Sequence, residues 1–372
     1  EAMQVFEQNT GIDIEFEGVD DFPGEIVRRA QEDELPDLAL FPQPGVLADL
    51  VAGGYTYDLN AWFSPAYFQQ QYEQSWLDMA TMQGQMAGVW YKANVKSLVW
   101  YPVPEFQDAG YQIPQDWTEL LALSDQMVAD GRKPWCIGIV DGPASGWVGT
   151  DWVEDIMLRT TTAENYDLWV NGDLEFASAE VKNAWHTMGS LWFNPNYVQG
   201  GRAAIASTYF GDAPLPMFDN PPGCWMHRQG GFITGFFPEG TAYGVDYDYF
   251  PLPPIDVQQG DAVLISGDLF GVFRDRPKIR TFVEYLTTGE SARWWVEGGR
   301  EISPHKDADL SWYQDLNRGM GTMVMDADVV RFDASDLMPA EVGAGSFWTG
   351  IVDYVNGNDL EPVLVNIDAS WP

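Results

Sequence analysis

Apolar and polar positions follow two periods along this chain. In 12-IDIEFEG they alternate every second residue, the pattern of a strand with one buried face. In 23-PGEIVRRAQEDE the apolar positions Ile26, Val27 and Ala30 fall at helical spacing. Then 37-DLALF reads as a short buried strand and 42-PQPG as a turn. A helix over 45-GVLADLVAGG is stopped by Gly53 and Gly54. Residues up to Asn9 also read as helix, with Gly11 as the stop. Strands separated by helices predict an α/β fold on a parallel, doubly wound sheet.

The clearest helix is 116-DWTELLALSDQMVADG. Asp116 and Glu119 make a capping box, Leu120, Leu121, Met127 and Val128 form one stripe, and Gly131 ends it. A strand is predicted over 134-PWCIGIV and a helix over 152-WVEDIMLRTT, where Asp151 and Glu154 again read as a capping box. Residues 179–193 and 277–297 are predicted helical, the latter from Pro277 to the Gly298-Gly299 stop. Proline-rich connections (213-APLPMF, 220-NPPGC, 251-PLPPID) punctuate the middle. There is no internal repeat and no low-complexity linker, so two domains would be joined by several short strand crossings.

Length and composition narrow the field. The chain has 372 residues, room for two or three domains. Its 45% hydrophobic content supplies a packed core and excludes general disorder. No apolar run approaches the roughly 18–20 residues that cross a membrane. The opening EAMQVFEQNTG reads as the back half of a helix, so a targeting segment and a first strand are expected ahead of it. With 19 basic against 56 acidic residues, net −37, the chain lacks the basic footprint of a nucleic-acid binder. The same balance disfavours anionic lipid surfaces. A solvated acidic surface, as in salt-adapted proteins, accounts for the charge, and a cationic ligand is the sharper alternative.

Several chemistries lack their motifs. No GxGxxG or GxxxxGK[ST] cradles a nucleotide, and no GxSxG elbow presents a serine. Acid pairs such as Asp246/Asp248, Asp307/Asp309 and Asp326/Asp328 do not match a calcium loop. Two cysteines and three histidines (His186, His227, His305) are too few for a zinc site. Cys136 and Cys224 are a disulfide if the protein is exported and two buried thiols if it is cytosolic.

What remains is a set of loops that mix aromatic with polar residues, the mixture a sugar needs. Apolar C–H faces want a flat ring, and hydroxyls want charged or amide partners. Gln43 lies in 41-FPQPG at a strand end, against the plainer reading of a turn. Lys92, Asn94 and Lys96 share one strand face in 90-WYKANVKSLVWY, or simply balance local acid. Trp147, Asp151 and Trp152 stand in 144-ASGWVGTDWVED, where the acid could serve only as a cap. In 224-CWMHRQGG either Trp225, His227 and Gln229 or Met226 and Arg228 face a ligand. Asp268 sits in the apolar run 264-LISGDLFGVF and needs a partner, with Arg300 downstream in 298-GGREISPHK.

At this point the chain resembles the extracellular solute-binding proteins of ABC importers, in the carbohydrate branch with maltose- and trehalose-binding proteins. The segments that carry the likeness are 6-FEQNTGIDIEFEG, 35-LPDLALFPQPGVLADLVAGG, 97-SLVWY, 116-DWTELLALSDQMV, 264-LISGDLFGVF and 281-TFVEYLTTGESARWW. The α-glucoside-type subgroup is the nearer match, through 92-KANVKSLVWY, 134-PWCIGI, 222-PGCWMHRQ, 332-FDASDLMPA and 367-IDASWP. The resemblance implies a two-lobed periplasmic-binding-protein fold, each lobe a mostly parallel sheet flanked by helices, with a ligand cleft between them. Lobe I would be 1–94 plus 266–303 and lobe II 97–262 plus 306–372, with hinge crossings near 94–97, 263–267 and 302–306. Members usually begin with a strand before the first helix, so lobe I's sheet is expected to be one strand short here.

The resemblance further implies ligand contacts at Gln43, Lys92, Asn94, Trp147, Asp151, Trp152, Trp225, Arg228, Asp268 and Arg300. It implies no catalytic residue, cofactor or metal, and an exported protein in which Cys136 and Cys224 form a disulfide. A bridge of that span contributes up to about 4–5 kcal/mol by the loop-entropy model. The implied ligand is a small α-glucoside (trehalose, sucrose, maltose or a glucosyl-polyol such as glucosylglycerol), captured by hinge closure. The implied partner is the membrane permease of the importer, approached by a monomer on the periplasmic or extracellular face, with or without a lipid anchor. Two rivals stand beside this. A glycoside hydrolase would use Asp151 and Asp268 as its carboxylates, and a polyamine or cation receptor would use the same fold.

Overall fold

The computed structural model describes residues 2–372, so Glu1, the start of the first predicted helix and of lobe I, lies outside the described residues. In chain order the strands are β1 (Leu38–Phe41), β2 (Thr81–Met82), β3 (Gln85–Met86), β4 (Gly88–Val95), β5 (Leu98–Pro102), β6 (His227–Arg228), β7 (Tyr247–Pro251), β8 (Ala262–Val272) and β9 (Val329–Phe332). The chain separates into two compact units, Glu1–Asn94 with Ser266–Thr322 and Val95–Ile265 with Met323–Pro372. It passes between them at 94/95, 265/266 and 322/323, the last beyond the crossing expected near 302–306. Residues 303–322 stay with the first unit because buried Asn317 donates to the carbonyls of Val296 (2.7 Å) and Glu301 (2.9 Å). The Ser303 amide also donates to the Tyr313 hydroxyl at 3.0 Å.

In the first unit β1 pairs antiparallel with the later half of β8, from Leu38↔Val272 to Phe41↔Leu269. The predicted helices form as Phe22–Gln31 and Pro44–Ala52. Asp21 caps the former by accepting from the Gly24 amide, and Ile26 and Ala30 turn inward. Phe6 packs on Phe282 (4.9 Å) and Tyr285 (5.3 Å). The single helix expected over 277–297 is two, Pro277–Leu286 and Gly289–Glu297. At the break, the hydroxyls of Thr287 and Thr288 donate to the carbonyls of Glu284 and Tyr285, competing with the helical ladder.

The strand predicted at 12-IDIEFEG does not form. The Ile12 amide donates to Thr10 Oγ1 and the Ile14 amide to Glu7 Oε1 instead. Alternation marks one apolar face, but a strand also needs a neighbouring edge for its backbone groups.

In the second unit β5 pairs antiparallel with β6 (Val99↔Arg228, Trp100↔His227) and with β7 (Leu98↔Pro251 to Pro102↔Tyr247). The first half of β8 pairs parallel with β9, Ala262↔Val329 to Ile265↔Phe332. The helix Trp117–Ala129 begins at Asp116, whose Oδ1 accepts from the Glu119 amide at 2.8 Å. Segment 134-PWCIGIV forms isolated bridges, Trp135 with Val198 and Met226 and Val140 with Tyr209, rather than a strand. Its Cys136 is joined to Cys224 by the expected disulfide, Cα–Cα 5.4 Å.

The architecture is therefore mixed α/β, but the sheets are short and mostly antiparallel rather than mostly parallel. The parallel expectation holds when consecutive strands become neighbours across a helix. Here β5 finds its neighbours far along the chain, at residues 227–228 and 247–251, and β1 finds its neighbour in β8.

Candidate functional site

Two lysines, Lys92 and Lys96, organise two separate groups, one in each unit. In the first unit Gly267 precedes Asp268 on β8. A Cβ at Gly267 would stand 2.8 Å from the Lys92 carbonyl oxygen, so glycine lets β8 run this close to β4. Asp268 Oδ2 then lies 3.0 Å from Lys92 Nζ. The bridge between Ala93 and Ile302 brings Glu301 alongside, with its Oε1 3.1 Å from the same ammonium. The Trp295 ring centroid is 4.5 Å from that nitrogen, and the indole N–H donates to the Tyr91 hydroxyl at 2.7 Å.

Burial pushes the Glu301 carboxyl up to about 7 even though Lys92 pulls it down. Burial also opposes the Lys92 charge, but Asp268 and Glu301 outweigh it and hold the lysine raised and protonated. Asn94 is buried, and its Oδ1 has no hydrogen-bond partner among the described residues. Lys92, Asp268 and Trp295 keep partial exposure, so this group offers hydrogen-bond partners to a polar solute.

In the second unit the site begins at Gly146. Its φ is 111°, and a Cβ there would meet the Trp348 carbonyl oxygen at 2.1 Å, so a residue with a side chain does not fit. Gly146 starts the helix Trp147–Thr160, earlier than the capping-box reading placed it. Asp151 and Glu154 are therefore helix-interior residues, and neither caps this helix. Asp151 Oδ1 accepts instead from Lys96 Nζ at 2.9 Å, and Asp333 Oδ2 receives the same ammonium at 2.5 Å. Asp333 in turn caps the short helix Ala334–Leu337, accepting from the Asp336 amide (3.0 Å) and the Ser335 hydroxyl (2.8 Å). Glu154 Oε1 accepts from the Ser335 amide at 3.0 Å.

One turn further, Asp155 accepts from Ser97 Oγ (2.7 Å), from Arg228 Nη2 (2.8 Å) and from Arg159. Oxygens of Asp151, Glu154 and Asp333 lie within 4.8 Å of one another, a grouping that could surround a cation. The Lys96 ammonium already supplies one. Burial pushes Asp151 up to about 7 against the pull of Lys96, and pushes Glu154 well above the carboxylate range. Burial acts on Asp333 in the same direction, but the charge and hydrogen bond of Lys96 keep it lowered.

The residues singled out in the sequence divide by burial. Trp147 is half-buried, with Lys96 Nζ 5.5 Å from its ring and its indole donating to Asp141 Oδ2 at 2.9 Å. Trp152 turns into the core between Trp135 (5.4 Å) and Trp192 (5.9 Å). Trp225 is buried beside Arg132 (4.2 Å) and Tyr111 (5.5 Å). Arg228 is buried, with Nη2 donating to Asp155 and Nη1 3.6 Å from Asp151, while its Nε and Nη1 have no hydrogen-bond partner among the described residues. Gln43 is half-buried just ahead of the helix Pro44–Ala52, and Arg300 is exposed. Neutral, buried His227 is pushed down to about 4 by burial, with Nδ1 against the Cys136 carbonyl at 2.9 Å.

Sequence reading missed Glu301, Trp295, Phe232 and Asp333. Phe232 lies 5.9 Å from Trp147 and is also half-buried. Glu301 stood next to the residue chosen, and Asp333 and Trp295 stood inside quoted segments. Nothing in their spacing distinguished them from surface residues.

The family of bacterial extracellular solute-binding proteins matches residues 1–292. The osmoprotective compounds-binding protein GgtB of Synechocystis sp. is 44% identical over 373 residues, covering 100% of this chain and 88% of that protein. The alpha-glucosides-binding periplasmic protein AglE of Rhizobium meliloti is 40% identical over 378 residues, covering 98% and 82%. Among solved structures, the bacterial solute receptor AcbH aligns with a TM-score of 0.84 at 16% identity, covering 99% of this chain and 92% of that one. Maltose-bound MalE3 of T. maritima aligns at 0.73 and 16% identity, covering 99% and 93%. Both are carbohydrate-binding by their descriptions and share the mixed α/β fold. With the family matched over most of its length and two such relatives, this chain belongs to the bacterial extracellular solute-binding proteins, and is a receptor rather than an enzyme.

Proposed function

We propose that the protein is the substrate-binding component of an ABC importer that captures a small, uncharged α-glucoside or glucosyl-polyol osmoprotectant and delivers it to a membrane permease. The observation that carries this reading is whole-length identity to receptors of osmoprotective compounds and of alpha-glucosides. The site chemistry argues against an anionic ligand. Lys92 and Lys96 are each held by two carboxylates within the protein, so neither ammonium is free for an anionic partner. An anionic ligand would have to break such a pair, whereas hydroxyls add to it. The ligand contacts in this reading are Lys92, Asn94, Asp268, Glu301, Trp295 and Trp147, with Gln43 and Arg300 as outer contacts. Asp151, Trp152 and Arg228 hold the second group in shape, and Trp225 packs apart from it against Tyr111 and Arg132. Hydrogen bonds to charged groups are worth about 1.5–3 kcal/mol each, and micromolar binding needs about 8 kcal/mol. A few such bonds and one or two indole faces suffice.

A thermal-shift panel tests the proposal, because a binder gains stability as the logarithm of ligand over Kd. Trehalose, sucrose, maltose and glucosylglycerol form one arm, spermidine another. A rise with at least one glucoside and none with spermidine is expected. Stabilisation by spermidine alone would overturn the reading in favour of a cation receptor.

A further inference from the structure

Helix Trp147–Thr160 turns three acids, at 151, 154 and 155, into the interior of the second unit. They bring more negative charge than the interior answers. Five buried carboxyls, those of Asp151, Glu154, Asp155, Asp333 and Asp336, face three buried cations. Arg159 and Arg228 are both engaged by Asp155. Lys96 is held by Asp151 and Asp333. Glu154 forms no ion pair among the described residues. Its Oε1 accepts from the Ser335 amide at 3.0 Å, and its Oε2 has no hydrogen-bond partner among them. We propose that the Asp151–Glu154 pair binds one proton inside the second unit at neutral pH, carried by Glu154 and shared toward Asp151.

Geometry and charge balance carry this. Three positions apart on one helix, the two side chains share a face. Oxygens of Asp151, Glu154 and Asp333 lie within 4.8 Å of one another. Asp151 Oδ2, like Glu154 Oε2, is buried with no hydrogen-bond partner among the described residues. Were both acids ionised, two unpartnered oxygens would face like charge in a dry site. A proton on Glu154 turns one of those acceptors into a donor, and Asp151 supplies the acceptor. Asp333 does not compete for the proton, because it already accepts from Lys96, the Ser335 hydroxyl and the Asp336 amide.

The other groups around the pair do not replace that proton. Arg228 Nη1 stands 3.6 Å from Asp151 Oδ2, beyond hydrogen-bond reach. Arg159 donates to Asp155 and to the carbonyls of Leu252 and Ala262. The Tyr166 hydroxyl donates to the Phe332 carbonyl at 2.9 Å. Asp336 adds negative charge. Burial, reinforced by Asp333 and Asp151, holds Glu154 well above the carboxylate range. The folded state therefore keeps a proton that the unfolded chain releases. Its contribution to stability is complete below the ordinary carboxylate range and is lost as pH rises through the folded value. Trp147 begins the helix that carries the pair, so release of the proton acts on the element that presents that ring.

Denaturant titrations of wild type and Glu154→Gln between about pH 5 and 8 read the proton, because glutamine makes the neutral form permanent. The variant's folding constant relative to wild type is expected to grow about tenfold per pH unit across that range. A ratio that does not change with pH means that Glu154 is ionised like an ordinary carboxylate, and overturns the proposal. Infrared spectroscopy keeps the test independent of how that variant folds. In Glu301→Gln protein, where the other raised glutamate is silenced, a protonated-carboxyl band that shifts in D2O is expected to persist at about pH 8. Its absence overturns the proposal. Adding Asp151→Asn removes the like charge beside Glu154, so the band is expected to vanish at lower pH. A titration that does not move overturns the sharing.

Discussion

Lys92 and Lys96 stand four positions apart in 92-KANVK, and each ammonium meets two carboxylates. Their surroundings differ. The side chains of Lys92 and Asp268 keep 14% and 17% of their exposure, while Lys96, Asp151 and Asp333 keep 7%, 1% and 1%. One pair is close enough to water to exchange it for a ligand. The other is sealed under helix Trp147–Thr160 and the segment after β9, where its charges are engaged with one another and with groups of the protein's own interior. Identical chemistry gives a recognition group at one place and an internal brace at the other, and burial decides which. Trp147 and Trp152 repeat the lesson on one helix, half-buried against fully buried.

The largest effect is expected from Lys96→Met. Removing the cation strands Asp151 and Asp333 in a dry site, at a cost of about 3–5 kcal/mol. A thermal melt would show it, while the folded fraction keeps its ligand affinity. A melt indistinguishable from wild type would erase the distinction between the groups. Trp152→Ala comes next, losing about 3 kcal/mol of stability through the cavity it leaves between Trp135 and Trp192. The partner change, Trp147→Ala, is expected to cost about 1–2 kcal/mol of ligand affinity and little stability, as calorimetry and melting together would report. The opposite assignment of the two tryptophans would break the comparison.

The smallest effect is on pH dependence. Glu301 titrates at about 7 in the folded protein against 4.5 as the ordinary value. Between those pH values the folded state holds more protons than the unfolded one, so this group's contribution to stability falls as pH rises through the window. Glu301→Gln is expected to flatten the decline in melting temperature between pH 5 and 7.5. The remaining slope belongs partly to Asp151, raised to about 7 by its own burial. If the slope is unchanged in the Glu301 variant, that carboxyl does not titrate there.

Much of the fold was legible where a local signal has a local cause. Asp116 caps its helix because a side-chain oxygen three residues upstream of a free amide always can. The Cys136–Cys224 disulfide followed from the exported reading. What was not legible depends on the neighbours a residue acquires. Asp151 with Glu154 has the letters of a capping box, but Gly146, with no side chain to oppose Trp348, starts the helix earlier and carries both acids inside. Segment 12-IDIEFEG alternates like a strand, and only the absence of a ladder partner among the described residues tells otherwise. At 298-GGREISPHK the choice fell on Arg300, which is exposed, while the adjacent Glu301 meets Lys92 through the bridge from Ala93 to Ile302. That bridge joins residues too distant in sequence for spacing to reveal.

The central claim is that the Lys92 group contacts an uncharged glucoside and the Lys96 group does not. Calorimetric titration of the α-glucoside that stabilises the wild type, into wild type and into Lys92→Met, tests it most directly. Losing one charged hydrogen-bond partner is expected to weaken binding by about 1.5–3 kcal/mol, at least tenfold, with a smaller drop in melting temperature than Lys96→Met. Equal affinity in the two proteins, or a wild type that binds no uncharged α-glucoside, would contradict the account.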